Sequence, residues 1–267
     1  MIYFHYSKEK KRKDPAYQIV ALMQTTSGID MLKTGHLAEL LGLSIDYPSN
    51  LYDYDKEAAA KKLMQLPLVK EAKVTKIRPG TIHIDYLLRQ PIAYLGDCTN
   101  TAIDAEGVVF PFKPFFTPKR LPEIYLQNRE EKDIPLWGSQ LEGERKELAF
   151  KLLVLAPDYC DSQSTLRSID VSDAFATSDG RRQIVLMLEE HFTKIIQGKV
   201  TMVVRPLYLR LREDNLSQQL GNYLVLRTYL REKGKLDLLE GEGAVRQAKA
   251  MIIDLRLSEL AFFAQES

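Results

Sequence analysis

The eight residues "TIHIDYLL", 81 to 88, constrain this chain more than any other stretch. Ile82, Ile84, Tyr86 and Leu88 fall at every second position, with His83, Asp85 and Leu87 between them. Successive strand side chains point to opposite faces, so the pattern describes a strand with one face buried. Upstream, "EAKVTKI" reads as an imperfect strand, and Arg78-Pro79-Gly80-Thr81 joins the two. Pro79 presets φ at the first central turn position and Gly80 tolerates the positive φ of the second, as a type II or related turn requires. Pro67 ends whatever helix precedes this hairpin, because proline in a helix interior removes a backbone donor and clashes with the preceding turn.

The residues before the hairpin supply three more elements. "AYQIVALMQ", 16 to 24, reads as a strand with Tyr17, Ile19, Ala21 and Met23 on one face, ended by "TTSG". Thr34 can cap a short helix in which Leu37, Leu40 and Leu41 recur at helical spacing before Gly42. Asp53 or Asp55 can cap a second helix, whose stripe is Ala59, Leu63 and Leu66. The expected order is β-α-α-β-β, an α+β unit over residues 16 to 92. Two helices cannot cover both faces of a three-stranded sheet, so one face or edge stays open to solvent or a partner.

Residues 93 to 267 read as a second domain, mixed and mostly antiparallel with flanking helices. "NTAIDAEGVVFPF" suggests two short strands around a turn at Asp104 to Gly107, and proline-rich 111 to 122 suggests an extended crossing. An exposed loop is expected over 127 to 146, then a helix near 145 to 156. Strands are expected at 166 to 174, 182 to 190, 199 to 206 and 207 to 213. A helix beginning at Asn215 or Ser217 and reaching about Lys233 follows. In the closing "AKAMIIDLRL", Met251, Ile253, Leu255 and Leu257 share a face, and "AFFAQ" comes after it.

Composition and motifs point away from chemistry. A formal net charge of +1 argues against a general nucleic-acid binder. The dense basic run is "KEKKRK", 8 to 13, within a tail over 1 to 15. It reads either as a solvated tail or as a juxtamembrane segment drawn to anionic head groups. No apolar run is long enough to cross a bilayer. Cys98 and Cys160 form no CxxC and suit buried small apolar positions, with a disulfide open in an oxidising compartment. Phosphate-cradling, dinucleotide, zinc-protease and nucleophile-elbow motifs are absent, and the four histidines never fall at i, i+4 spacing. Asp104 and Glu106 shape a turn more naturally than an acid-base pair. No catalytic residue, metal or cofactor is expected.

The residues already quoted carry a family resemblance. "LMQLPLVKEAKVTKIRPGTIHIDYLLRQPIAYL", then "AIDAEGVVF", and near the end "AMIIDLRLSELAFF" resemble the bacterial cell-division family FtsQ, also called DivIB. Arg78, Leu257 and Gln265 depart from it, standing where members commonly carry tryptophan, an aromatic residue and tryptophan. The resemblance implies a POTRA domain followed by a β domain on the periplasmic side of the bacterial inner membrane. It implies a single membrane span that these residues do not contain, and "MIYFHYSKEKKRK" fits its junction. It also implies a non-catalytic scaffold that binds FtsB and FtsL through the last strand of the β domain.

Strand addition makes that surface physically reasonable, since an edge strand offers unpaired N–H and C=O groups. The candidates are Ile253, Leu255, Leu257, Ala261, Phe262 and Phe263, about half of them expected to face the core. Adjacent Phe262 and Phe263 should place one ring inward and one at the surface. Lys73, Thr75 and Lys76 are candidates for a second contact with other division or membrane proteins. A rival reading, a POTRA module of a protein-translocation or outer-membrane assembly system, expects tandem units or a following barrel.

Overall fold

The computed structural model describes residues 9–127, 135–196, 198–233, 239–240, 245–257 and 261–265. "MIYFHY" and most of the 127 to 146 loop's first half lie outside them. The chain divides into two compact units. One holds Met1–Pro91, Asn100–Lys119 and Pro135–Gln140; the other holds Ile92–Thr99, Arg120–Ile134 and Leu141–Ser267.

The first unit contains β1 (Ala21–Thr25), α1 (Thr34–Leu40), α2 (Lys56–Met64), β2 (Val69–Ile77) and β3 (Thr81–Leu88), in the expected β-α-α-β-β order. The sheet order is β1-β3-β2, with β1 parallel and β2 antiparallel to β3. Ile82, Ile84, Tyr86 and Leu88 are buried, as are Leu37 of α1 and Ala59 and Leu63 of α2. Burying an aliphatic side chain of this size stabilises by about 1.5–3 kcal/mol. The Tyr86 hydroxyl accepts from the Leu32 N–H and donates to Gln24 Oε1, both at 2.9 Å. Asp55 caps α2 through the Glu57 and Ala58 N–H groups, and Gly42 follows α1 with φ 66°.

Three local expectations need correcting. Thr34 is the first residue of α1 and not its cap; its hydroxyl accepts from Gln24 Nε2 at 2.8 Å, while Lys33 occupies the cap position. The strand does not begin at 16. Pro15–Tyr17 is a 3-10 turn, and Tyr17 and Ile19 pair through their backbones with Leu51 and Ser49 instead of joining the sheet. As a result Ile19 is buried, whereas Ala21 and Met23 are exposed. The hairpin turn is not type II either. The Arg78–Pro79 bond is cis, which puts Pro79 at the second central position, and Gly80 has no positive φ. A Cβ on Gly80 would lie 2.0 Å from the Gln18 carbonyl oxygen. The glycine is needed because the chain entering β1 passes against it, its carbonyl accepting from the Val20 and Ala21 N–H groups.

The same unit holds the hairpin of β5 (Thr101–Asp104) and β6 (Val109–Pro111). Asp104 Oδ1 accepts from the Glu106 and Val108 N–H groups, and Gly107 has φ 83°, so this carboxylate shapes a turn. Arg89, just past β3, donates to Asp104 Oδ2 at 2.7 Å, Glu106 Oε2 at 3.2 Å and the Pro67 carbonyl at 3.1 Å. Nearly buried Asp30 is held by the Thr117 backbone and hydroxyl and by Lys119 Nζ at 2.8 Å. The extended crossing expected at 111 to 122 instead folds over at Phe112–Phe116. Phe110, Phe112 and Phe116 are buried there, and the last two rings stack at 5.4 Å. Burying three rings outweighs the extended preference of the flanking prolines.

The second unit is built on a sheet ordered β11 (Leu239–Glu240), β12 (Val245–Ala248), β10 (Lys199–Leu211), β9 (Ile184–Ile196), β8 (Ser164–Asp170), β7 (Glu123–Tyr125), β4 (Pro91–Leu95). Strand β13 (Met251–Asp254) also pairs with β10, and β14 (Phe262–Gln265) pairs with β13. Residues of α3 (Glu144–Leu155) and α4 (Leu216–Lys233) complete the core with Leu152, Leu220 and Tyr223. Instead of two strands at 199 to 206 and 207 to 213, the chain runs unbroken through Pro206. Along its β12/β13 flank, pairing stops at Val204 and resumes at Leu207, so Arg205 and Pro206 sit in a gap in that ladder. A proline is tolerated where no neighbouring strand asks for its N–H. On the helix side Arg205 pairs with Glu190 at 2.8 Å, both nearly buried, and its guanidinium lies 5.0 Å from the Phe192 ring centre.

Candidate docking surfaces

Among the described residues no cluster of His, Cys, Asp or Glu could hold a metal ion. Cys98 and Cys160 are free and half-buried, and burial pushes both thiols up.

Chain order sets the C-terminal edge. After β13 lines up beside β10, the polypeptide returns antiparallel as β14, pairing Ile253 with Phe263 and Asp254 with Phe262. Strand β13 is therefore interior and β14 is the outer strand on that flank. Met251, Ile253 and Leu255 are buried at 2% exposure or less, which removes Ile253 and Leu255 as accessible contact side chains. Leu257 is 53% exposed, Phe262 58% and Phe263 47%, and Ala261 is exposed too. Strand alternation puts the two rings on opposite faces as expected, but neither is inward, because no described residue covers β14 well on either side. The Asp254 carboxylate takes the Arg256 guanidinium at 2.6 Å and the Arg256 N–H at 3.1 Å. Burial raises this carboxyl, and the Arg256 hydrogen bonds outweigh it, leaving the pKa below the ordinary value.

In the first unit the helices cover one face of β1-β3-β2 and leave the other open. Register pairs Lys73 with Asp85, Thr75 with His83 and Lys76 with Ile82. Lys73 and Thr75 thus lie on the open face, while Lys76 shares the face of buried Ile82. The open face carries a polar row: His83 contacts Thr75 Oγ1 at 3.3 Å and Thr25 Oγ1 at 3.2 Å, and Thr25 donates to Asp85 at 2.8 Å. Thr25 and Asp85 were not singled out from the sequence. Their meeting depends on the parallel β1–β3 register, which no local pattern specifies.

Against known families, residues 27–85 match the model described as "POTRA domain, FtsQ-type". The chain carries an FtsQ-type POTRA domain. The match starts just past β1 and ends within β3, so it spans both helices, β2 and the turn at Pro79. Over those residues the chain is FtsQ/DivIB-like, a domain type of cell-division proteins. A comparison with curated proteins yields no match. The open sheet face with Lys73, Thr75, His83 and Asp85 belongs to this POTRA domain, whereas the exposed β14 lies far outside the matched residues. No helix among the described residues is long and apolar enough to cross a membrane.

Proposed function

We propose that this protein is a non-catalytic scaffold of bacterial cell division that binds FtsB- and FtsL-type proteins by strand addition along β14 during septal peptidoglycan synthesis. It works on the extracytoplasmic side of the inner membrane, anchored by a single span outside these residues. Its POTRA domain covers 16–92 and its partner-binding β domain 93–267, of which Asn100–Lys119 and Pro135–Gln140 group with the first compact unit. The observation that carries this reading is an outer strand, β14, whose Phe262 and Phe263 are about half exposed, as is Leu257 before it. An edge strand supplies a backbone ladder to an incoming segment, and alternate side chains supply selectivity. Large aromatics at such an edge are the usual binding hot spots. Lys73 and Thr75 on the open POTRA face form a second contact for other division proteins, which Lys76, on the opposite face, does not share. The test is capture of FtsB and FtsL extracytoplasmic segments by the chain. Recovery of either supports the scaffold, and recovery of neither refutes it.

A further inference from the structure

Residues 9–14, which hold most of the basic run, are docked on the first unit and are not a free tail. Residues 9–12 are helical. Asn50 Nδ2 donates to the Lys11 and Asp14 carbonyls at 3.1 and 3.3 Å, and Arg12 Nε lies 2.9 Å from Asp53 Oδ1. The Lys11 ammonium and Arg78 guanidinium stand 5.7 and 5.9 Å from the Tyr52 ring centre, and Tyr17 packs edge-on against that ring at 5.0 Å. Of the carboxylates here, Asp53 pairs with Arg12 and Asp14 accepts from the Ala16 N–H at 2.9 Å, while Glu9 and Asp46 are exposed, so the cations must outweigh them. Lys10, Lys13 and Arg78 are exposed.

The loop leading to Asn50 is unusually apolar for its exposure. Ile45 is 97% exposed and Tyr47 85%, a few residues before Ser49, whose carbonyl takes the Ile19 N–H at 2.9 Å. One exposed aliphatic side chain needs no explanation. An isoleucine and a tyrosine projecting fully into water close in sequence to the residues that hold a lysine-rich segment match the chemistry of a lipid interface. Cations attract anionic head groups, tyrosine suits the head-group level, and an aliphatic group enters the acyl boundary. A soluble polyanion would use the cations but gain nothing from Ile45.

We propose that this part of the first unit is a peripheral membrane site for anionic lipid head groups, with Ile45 and Tyr47 entering the interface. The test is flotation of the full chain with phosphatidylcholine vesicles, with and without phosphatidylglycerol, and without any partner protein. Recruitment should require phosphatidylglycerol and weaken as salt rises. The double variant Lys10→Glu/Lys13→Glu should lose at least about 25-fold, at about fivefold per lysine lost. The double variant Ile45→Ser/Tyr47→Ser should bind these vesicles more weakly yet elute from heparin at the parent's salt concentration. Both pairs are surface changes, and unchanged thermal unfolding verifies that the fold persists. Equal recruitment to both vesicle types overturns the proposal. So does an Ile45/Tyr47 variant that floats like the parent, which would reduce the surface to a general polyanion patch.

Discussion

Gly80 and Asp30 are the residues where sequence position and structural role diverge most. Gly80 follows the turn proline, yet it is required by the Gln18 backbone that crosses it and not by a positive φ. Gly80→Ala should cost about 2–3 kcal/mol in denaturant unfolding, because the obstructing atom is a carbonyl oxygen that cannot swing aside. Asp30 makes a pH prediction. Burial raises its carboxyl, but Lys119 and Thr117 outweigh burial and hold the folded pKa below the ordinary 3.8. A depressed folded pKa means stabilisation that is fully present above the unfolded pKa and lost as pH falls through the folded one. Asp30→Asn should therefore lower the urea midpoint near neutral pH, by about 1–3 kcal/mol in stability. Its deficit against the parent should shrink in strong acid.

At the scale of elements, the buried Glu190–Arg205 pair joins β9 to β10 beneath α4. Removing one partner leaves a charge buried without its counterion, so Arg205→Met should destabilise by about 3–5 kcal/mol. Adding Glu190→Gln to that variant should restore part of the loss, as urea unfolding of the single and double variants would reveal. Strand β10 also marks where local pattern fails. Pro206 reads as a break, and only the gap between β12 and β13 explains why it is not one. The same limit hid the interior position of β13. Alternation of Met251, Ile253 and Leu255 gives a buried face, but which strand flanks it is a tertiary fact.

Over the whole molecule, what was legible was what is locally encoded. The alternation of 81 to 88, the Asp55 cap, Gly42 after α1 and the Asp104–Gly107 turn each depend on a few adjacent residues. The first three gave much of the β-α-α-β-β order, of which the FtsQ-type POTRA match covers the part after β1. The exposure of the candidate contact residues was half legible: Leu257, Ala261, Phe262 and Phe263 are exposed, Ile253 and Leu255 are core, and Lys76 lies opposite Lys73 and Thr75. Exposure at an edge depends on what covers it, and sequence spacing does not encode that. The central claim is partner capture by β14, and titration calorimetry with FtsB- and FtsL-type extracytoplasmic segments tests it most directly. The parent chain should bind. Leu257→Glu and Phe262→Glu should each weaken binding at least about 30-fold, the hot-spot loss of about 2 kcal/mol or more. Lys73→Glu, in the other unit, should leave it unchanged. Parent-like affinity in both edge variants, or no heat of binding from the parent, would contradict the account.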